Sequence, residues 1–398
     1  MRELKKYAEP LQKCAYCKFC QVSCPIYLQE IFEPDAGGAR ANLIEAVLLE
    51  NKYPVSGRFE EIVDRCLLCT NCVQSCPAAI PIDEVVISAR HQLRKGKPER
   101  VSYKLKKKFM EDRGFGALTG KLGALVSRTG ILPGEFPRPA DKAFSAISRK
   151  VYPAEGQKRG RVAYFVGCAT NAFYPETALD VIRVFNRSGV EVIIPEGVKC
   201  CGLPALAEGD VDTAVEMAVA NVSILSGLEV DAVITDCTSC GMALRTKALK
   251  LIPEADPLFW KAHALSAKIF EATDYLSKLG LASEPGAFNE RYTYHVPCHR
   301  KWTPTLNDAP RLLLAQVPGA VRVEMEYPER CCGAGGTFFL DYPQLSREIK
   351  ARKVEDVLGT RSSVLVTQCP ACRSYLQAEL KSHKVMHPLS LLARAYGF

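Results

Sequence analysis

Apolar and polar positions alternate in three different ways along the chain. In the first 95 residues the rhythm is helical: AGGARANLIEAVLLEN places Leu43 and Ile44 one turn before Val47 and Leu48, one face of an amphipathic helix. IDEVVISARHQLRKG, from Ile82, reads as another. Between about residues 96 and 160 the rhythm is broken by Gly114, Gly116, Gly120, Gly123 and Gly130 and closed by LPGEFPRPA. Within it Phe115, Leu118, Leu122, Leu125 and Val126 keep roughly helical spacing, a face expected to pack on a neighbouring domain, with a membrane-surface helix as the alternative. From residue 161 the runs AYFV, EVII and AVIT, then YTYHV, VRVEM and SVLV, have strand length and β-branched or aromatic character. Helical segments such as TALDVIRVFNRSG, TAVEMAVANVSIL and YPQLSREIKARKVEDVLG lie between them. Strand–helix alternation predicts parallel βαβ units with right-handed crossovers.

This last region is written twice. RVAYFVGC ends in Cys168, KCCG supplies Cys200, Cys201 and Gly202, and VDAVITDCTSC supplies Cys237 and Cys240. RYTYHVPC then ends in Cys298, RCCG supplies Cys331, Cys332 and Gly333, and SSVLVTQCPAC supplies Cys369 and Cys372. The five pairs are offset by 130, 131, 131, 132 and 132 residues. Five cysteines recurring in one order with so small a drift mark a duplicated domain. Cys168, Cys237, Cys298 and Cys369 fall at or just past predicted strand C-termini, the end of an open α/β sheet where ligands bind.

The remaining eight cysteines form two runs, Cys14-x₂-Cys17-x₂-Cys20-x₃-Cys24-Pro25 and Cys66-x₂-Cys69-x₂-Cys72-x₃-Cys76-Pro77. This spacing resembles the bacterial ferredoxin signature, in which three thiolates of a tight loop bind one [4Fe–4S] cube and the cysteine beside proline reaches across to the other. That resemblance implies Cys14, Cys17, Cys20 and Cys76 on one cluster and Cys66, Cys69, Cys72 and Cys24 on the second. Zinc, the rival for Cys-x₂-Cys pairs, has no use for a third regularly spaced cysteine followed by Cys-Pro. The 41 residues from Pro25 to Arg65 exceed the connection in a compact β-ferredoxin. They make the module similar to the helical ferredoxin of succinate-dehydrogenase-type iron–sulfur subunits.

A Cys, Cys-Cys-Gly and Cys-x₂-Cys order, repeated behind such a module, resembles the CCG domains of heterodisulfide reductases. It is similar, too, to the iron–sulfur subunits of glycolate oxidase, D-lactate dehydrogenase and anaerobic glycerol-3-phosphate dehydrogenase. GGARANLIEAVLLEN and RCLLCTNC resemble the glycolate oxidase subunit in particular. The fold this implies is multidomain α+β: a helical two-cluster ferredoxin domain over 1–95, a basic helical connector over 96–160, and tandem Rossmann-like CCG domains over 161–285 and 286–398. The heterodisulfide reductases further imply a non-cubane cluster on Cys168, Cys200, Cys201, Cys237 and Cys240, and another on Cys298, Cys331, Cys332, Cys369 and Cys372. An ordinary cube with a spare thiol, or structural zinc, stays open for each repeat. Gly202 and Gly333 would allow a turn conformation denied to residues with a Cβ. His295 and His299 flank Cys298 as proton donors or as histidines satisfied at a strand end. Arg40 is either a counter-charge to a thiolate-bound cube or a helix-surface arginine.

Charge is uneven. From His91 to Arg161 there are 18 Lys/Arg and 6 Asp/Glu, a balance of +12 in a chain of +8. A solvated linker, an acidic partner or anionic lipid fits this run; no nucleic-acid recognition motif accompanies it. MRELKKYAEP has no apolar core of a signal peptide, and no 18-residue apolar stretch occurs, so a reducing cytoplasm, or its membrane face as a peripheral protein, is the expected location. No dinucleotide fingerprint or Walker loop is found. The resemblance therefore implies an electron-transfer subunit of a 2-hydroxyacid (glycolate or D-lactate) dehydrogenase, with the FAD on a partner and a quinone or other carrier as acceptor. The alternatives are a heterodisulfide-reductase-type subunit that cleaves a disulfide at a CCG cluster, a glycerol-3-phosphate dehydrogenase subunit, and a zinc-stabilised scaffold.

Overall fold

The computed structural model describes residues 1, 3–99, 101–111, 138–336 and 338–398. The apolar face from Phe115 to Val126 lies outside the described residues, as do the glycines that interrupt it. The chain forms two compact units, one of Met1–Arg100, Leu203–Val215 and Arg330–Lys353, the other of Val101–Gly202, Glu216–Glu329 and Val354–Phe398.

In the first unit the residues up to 99 are built from short helices, and no strand occurs among its described residues. Three of them matter for the site: α1 (Gly37–Ile44), α2 (Gly57–Asp64) and α3 (Ile82–Arg94). The apolar stripe read from the sequence is the buried one, with Ile44, Val47, Val85, Val86 and Ile87 in the interior. Ser56 caps α2 by accepting from the Phe59 N–H at 3.2 Å, one of the donors a helix start leaves unpaired. The unit is discontinuous in sequence. Residues just past each Cys-Cys-Gly join it: Arg94 pairs with Glu208 at 3.1 Å. A Cβ at Gly335 would lie 2.2 Å from Leu67.

Among its described residues the second unit holds α4 (Val101–Glu111) and nine strands: β1 (Val151–Tyr152), β2 (Gly160–Tyr164), β3 (Val190–Ile193), β4 (Ala232–Thr235), β5 (Ile269–Glu271), β6 (Arg291–Tyr294), β7 (Val321–Arg322), β8 (Val364–Val366) and β9 (Lys384–Met386). The strands form two sheets, of order β1-β3-β2-β4-β5 and β7-β6-β8-β9. Apart from β1, antiparallel at an edge, every pairing is parallel. The repeat in sequence is thus a repeat in topology: Tyr164 sits opposite Ile234, and Tyr294 opposite Val366. β4 and β8 are buried at every residue, as expected of parallel strands covered on both faces.

Five helices follow these strands or the cysteines: α5 (Cys168–Phe173), α6 (Pro175–Arg187), α7 (Thr238–Met242), α8 (Ala272–Leu279) and α9 (Ala309–Leu314). Two more, α10 (Pro370–Gln377) and α11 (Pro388–Ala395), complete the second repeat. Packing between the repeats is reciprocal. Helix α6 of the first packs on α11 of the second, and α8 of the first packs on α9 of the second, the pattern of a self-complementary pairing. Val181, Phe185, Leu276, Leu313, Leu389 and Leu392 fill the shared core, each contributing about 1.5–3 kcal/mol by burial.

Candidate metal centres

None of the eighteen cysteines is joined in a disulfide. In the first unit Cys14, Cys17, Cys20 and Cys76 line one concavity. Cys24, Cys66, Cys69 and Cys72 line another. Each Cys-x₂-Cys-x₂-Cys loop bends the same way, with left-handed backbone on both sides of its middle cysteine. The residues are Tyr16 (φ 52°) and Lys18 (65°) in one loop, Leu68 (52°) and Thr70 (60°) in the other. Such strain in four side-chain-bearing residues is characteristic of a functional site. The turn brings the Leu68 N–H to 3.4 Å from Cys66 Sγ.

Helix α1 begins between the two cradles. A Cβ at Gly37 would lie 2.6 Å from Cys72 Cβ and 2.9 Å from its Sγ; one at Gly38 would lie 2.9 Å from Cys20 Sγ. The Gly38 N–H donates to Cys20 Sγ at 3.3 Å. Neighbouring glycines therefore press on cysteines of different cradles, so the cradles share a wall. The surroundings differ. Tyr16 (70% exposed) and Phe19 (57%) stand out in solvent beside the first cradle, where Leu67 and Leu68, at the second, are buried. We call the first cradle outer and the second inner.

The inner cradle is walled by Arg40 and Asp83. Arg40 is 1% exposed, so the surface-arginine alternative is excluded. Its Nε donates to the Ile62 carbonyl at 2.7 Å and its Nη2 to Asp35 at 3.2 Å. Burial alone would lower its pKa; Cys66, Cys24 and Asp35 outweigh that and raise it. Arg90, also buried, donates to the carbonyls of Cys66 (2.7 Å), Asp64 (2.9 Å) and Val63 (3.0 Å). Burial pushes Cys72 well above the ordinary thiol value, with the thiols of Cys69, Cys66 and Cys24 adding to it. Four converging sulfurs that repel negative charge in one another, in a cavity which only glycine leaves open, suit a multinuclear cation that replaces their protons.

In the second unit the cysteines of the first repeat converge at the C-terminal ends of β2 and β4. Cys168 opens α5 and lies 3.6 Å, sulfur to sulfur, from Cys200. Cys237 precedes α7. A Cβ at Gly167 would lie 3.0 Å from Cys240 Sγ. Cys240 is raised well above the ordinary thiol value by Cys201, then Cys237, then burial. Cys237 is drawn down by Cys240, but Cys369 of the second repeat and burial prevail and raise it well above that value. The five expected residues are thus together, and Cys369 joins them. Five or six sulfurs in one buried group exceed the four of a mononuclear zinc site and fit a cluster.

In the second repeat Cys369, ahead of α10, has the backbone of Cys237, φ −139° and ψ 114° against −129° and 114°. Cys298 and Cys372 lie in the second unit, while Cys331 and Cys332 belong to the first. Gly202 and Gly333 have φ of 84° and 85°, the left-handed turn expected of them; at Gly333 a Cβ would meet the Ser346 carbonyl at 2.6 Å. Of the two histidines, His295 is buried behind β6, and His299 Nδ1 lies 2.8 Å from the Ser239 hydroxyl.

Folded thiols that hold protons more tightly than unfolded ones stabilise the protein fully below the ordinary value of 9.0. That stabilisation is lost as pH rises beyond it. The melting temperature of iron-free protein is therefore expected to fall from about pH 9 upward. Loaded protein, whose ligands carry no protons, should lack this fall; thermal melts across pH check it.

Sequence reasoning missed a buried polar layer between the repeats. Glu271 accepts from the Thr273 N–H at 2.8 Å and from Gln368 Nε2 at 2.7 Å, and its other oxygen lies 3.2 Å from His387 Nε2. Tyr294 donates to Gln368 at 2.5 Å, and Thr170 to Asp236 at 2.5 Å. The signal was in the repeat: Asp236 and Gln368 each precede a first Cys-x₂-Cys cysteine, and Glu271 and His387 end KIFE and KVMH.

Comparison with known proteins agrees with this geometry. The family model for a 4Fe-4S dicluster domain matches residues 10–80. That for a cysteine-rich domain matches 162–245 and again 292–377. An uncharacterized iron–sulfur protein of Methanococcus maripaludis is 30% identical over 83% of the chain, which spans 60% of that relative's length. A component of the fumarate reductase (CoM/CoB) of Methanothermobacter marburgensis is 26% identical over 97% of the chain and 73% of its own. A probable glycolate oxidase iron–sulfur subunit of Bacillus subtilis is 26% identical over 97% of the chain and 94% of its own. A crystal structure of a hypothetical protein from Helicobacter pylori shares the fold, with a TM-score of 0.55 at 10% identity over the whole chain and 72% of that one. No helix among the described residues is long and apolar enough to cross a membrane. Cradles, duplicated sheets and matched models together place the chain in the family that joins a 4Fe-4S dicluster domain to two cysteine-rich CCG domains, in which its named relatives are iron–sulfur components of oxidoreductases.

Proposed function

We propose that the chain is the electron-transfer subunit of an FAD-dependent 2-hydroxyacid dehydrogenase of the glycolate or D-lactate type. The flavin would be on a partner subunit, and a quinone or another carrier would take the electrons. The observation that carries this reading is the wall shared by the two cradles at Gly37 and Gly38. Adjacent sites that differ in exposure suit passage from a surface to an interior better than chemistry on a bound substrate. Iron–sulfur clusters, when bound, supply one-electron exchange at reduction potentials set by their surroundings. The chain's own part is to hold them: Cys14, Cys17, Cys20 and Cys76 at the outer cradle, Cys24, Cys66, Cys69 and Cys72 at the inner one. The cysteine-rich repeats would hold further clusters on Cys168, Cys200, Cys201, Cys237 and Cys240, and on Cys298, Cys331, Cys332, Cys369 and Cys372. The similarity to the Bacillus subtilis protein over nearly the full length of both supports this choice of substrate class.

Affinity capture of the chain from its native cells, under anaerobic conditions, is expected to bring down an FAD protein. Glycolate or D-lactate oxidation should require that partner and be absent from the flavin-free chain. Hydroxyacid oxidation by the isolated chain would overturn the reading.

A second reading, reduction of a low-molecular-weight disulfide at a cysteine-rich repeat, is favoured by the six-sulfur group that Cys369 completes and by the likeness to the fumarate reductase (CoM/CoB) component. Disulfide reduction by the isolated, chemically reduced chain would select it.

A further inference from the structure

The inner cradle holds a fixed positive charge for which the outer one has no counterpart among the described residues. The charged residues lining the outer cradle are Lys18 and Glu33, both exposed and 3.2 Å from each other, so their fields cancel and water screens them. The inner wall contains the guanidinium of Arg40, fully buried and locked by Ile62 and Asp35. Arg90, held by the carbonyl of Cys66 itself, lies behind the loop. Asp35 is shared between Arg40 and Arg65, 3.3 Å away, and the other partners of Arg65, Glu30 and Glu61, lie toward solvent, where water screens them. Asp83, the opposing charge in the same wall, bears on Cys72 only after the thiols of Cys69, Cys66 and Cys24, while Arg40 bears on Cys66, Cys24 and Cys72.

The thiolate ligands make a cluster net negative, and reduction adds one more charge. In a buried cavity that addition is costly. A cation fixed in the wall offsets the cost, with little screening from water. We propose that Arg40 is the counter-charge of the inner site: it raises the reduction potential of the cluster held by Cys24, Cys66, Cys69 and Cys72, and leaves the outer one untouched. An electron reaching the outer cradle is thereby drawn inward. The proposal rests on the electron-transfer reading and assigns that pathway its internal bias. Arg40 acts through the cluster environment and is a positioning charge, not a ligand.

The test is an anaerobic potentiometric titration of the full chain, with the two cluster signals followed separately by electron paramagnetic resonance. Arg40→Met removes the charge and leaves Asp35 its second partner, Arg65. It is expected to shift the electron distribution between the clusters at least tenfold toward the outer one, a fall of 59 mV or more at the inner cluster alone. Arg40→Lys, which keeps the charge, should restore most of the difference and covers the case in which the neutral variant does not fold. Equal shifts at both clusters, no shift, or a lysine variant no better than a neutral one would overturn the assignment of Arg40. Both clusters present with unmoved potentials would do so while leaving the electron-transfer reading intact. Absence of iron–sulfur absorption in the unmodified protein would remove that reading as well.

Discussion

Gly37→Ala is expected to abolish the inner cluster, and Gly38→Ala the outer one. At Gly37 the added methyl would lie 2.6 Å from Cys72 Cβ, with Ile82 Cδ1 at 3.4 Å on another side. A Cβ is fixed by the backbone and cannot swing away, so the loop carrying Cys72 has to move. At Gly38 the clash is with Cys20 Sγ, at 2.9 Å, and nothing else is within 4 Å. That sulfur can turn aside, but only by leaving the position from which it faces the cavity and accepts the Gly38 N–H. Each variant should lose about four iron atoms per chain, the content of one cube, and one of two paramagnetic signals. Gly57→Ala, where a Cβ meets open space at the start of α2, is the control expected to keep full iron. Iron and sulfide assays with spectroscopy of the three proteins decide the matter. Simultaneous loss of both clusters from either variant would contradict the assignment of Cys20 and Cys72 to different sites.

Glu271→Leu is expected to cost about 3–5 kcal/mol, the penalty for breaking a buried charged network by removing one member. The carboxylate is fully buried and serves groups from both repeats: the Thr273 and Asp274 N–H groups at the start of α8, Gln368, and His387. Leucine takes this acceptor from all of them in the interior, and Gln368 alone keeps another, the Thr273 hydroxyl at 2.7 Å. Glu271→Gln keeps an acceptor and should lose less. Lys384→Ala removes a partly exposed pair with Glu290, 2.8 Å across, and is expected to cost under about 1 kcal/mol. Urea unfolding of the three variants gives the ranking; a Glu271→Leu protein as stable as the lysine variant would show that the layer is not structural.

The elements legible in the sequence were those with a local signal. Cysteine spacing needs only a few residues to declare itself, and strands such as Ala232–Thr235 are continuous apolar runs. β5 and β9 gave no such signal. Each is three residues long; β5 ends in Glu271 and β9 leads into His387, buried polar residues that meet each other across the repeats. Arg40 could be read two ways for the same reason: what buries it is Asp35 and the Ile62 carbonyl, the latter 22 positions away. His299 found its partner in Ser239, sixty positions earlier, and the compact unit around the ferredoxin loops recruits residues 203–215 and 330–353. Contacts at such separations are properties of the fold, and periodicity does not report them.

The seam between the repeats is chemically asymmetric although the frame on either side of it is repeated. Equivalent positions hold Glu271 and His387, and likewise Asp236 and Gln368. Two copies of the first half would set acid against acid there, so the seam as built suits an unlike partner and not a like one. The tandem therefore favours pairing of its unlike halves over pairing of like ones.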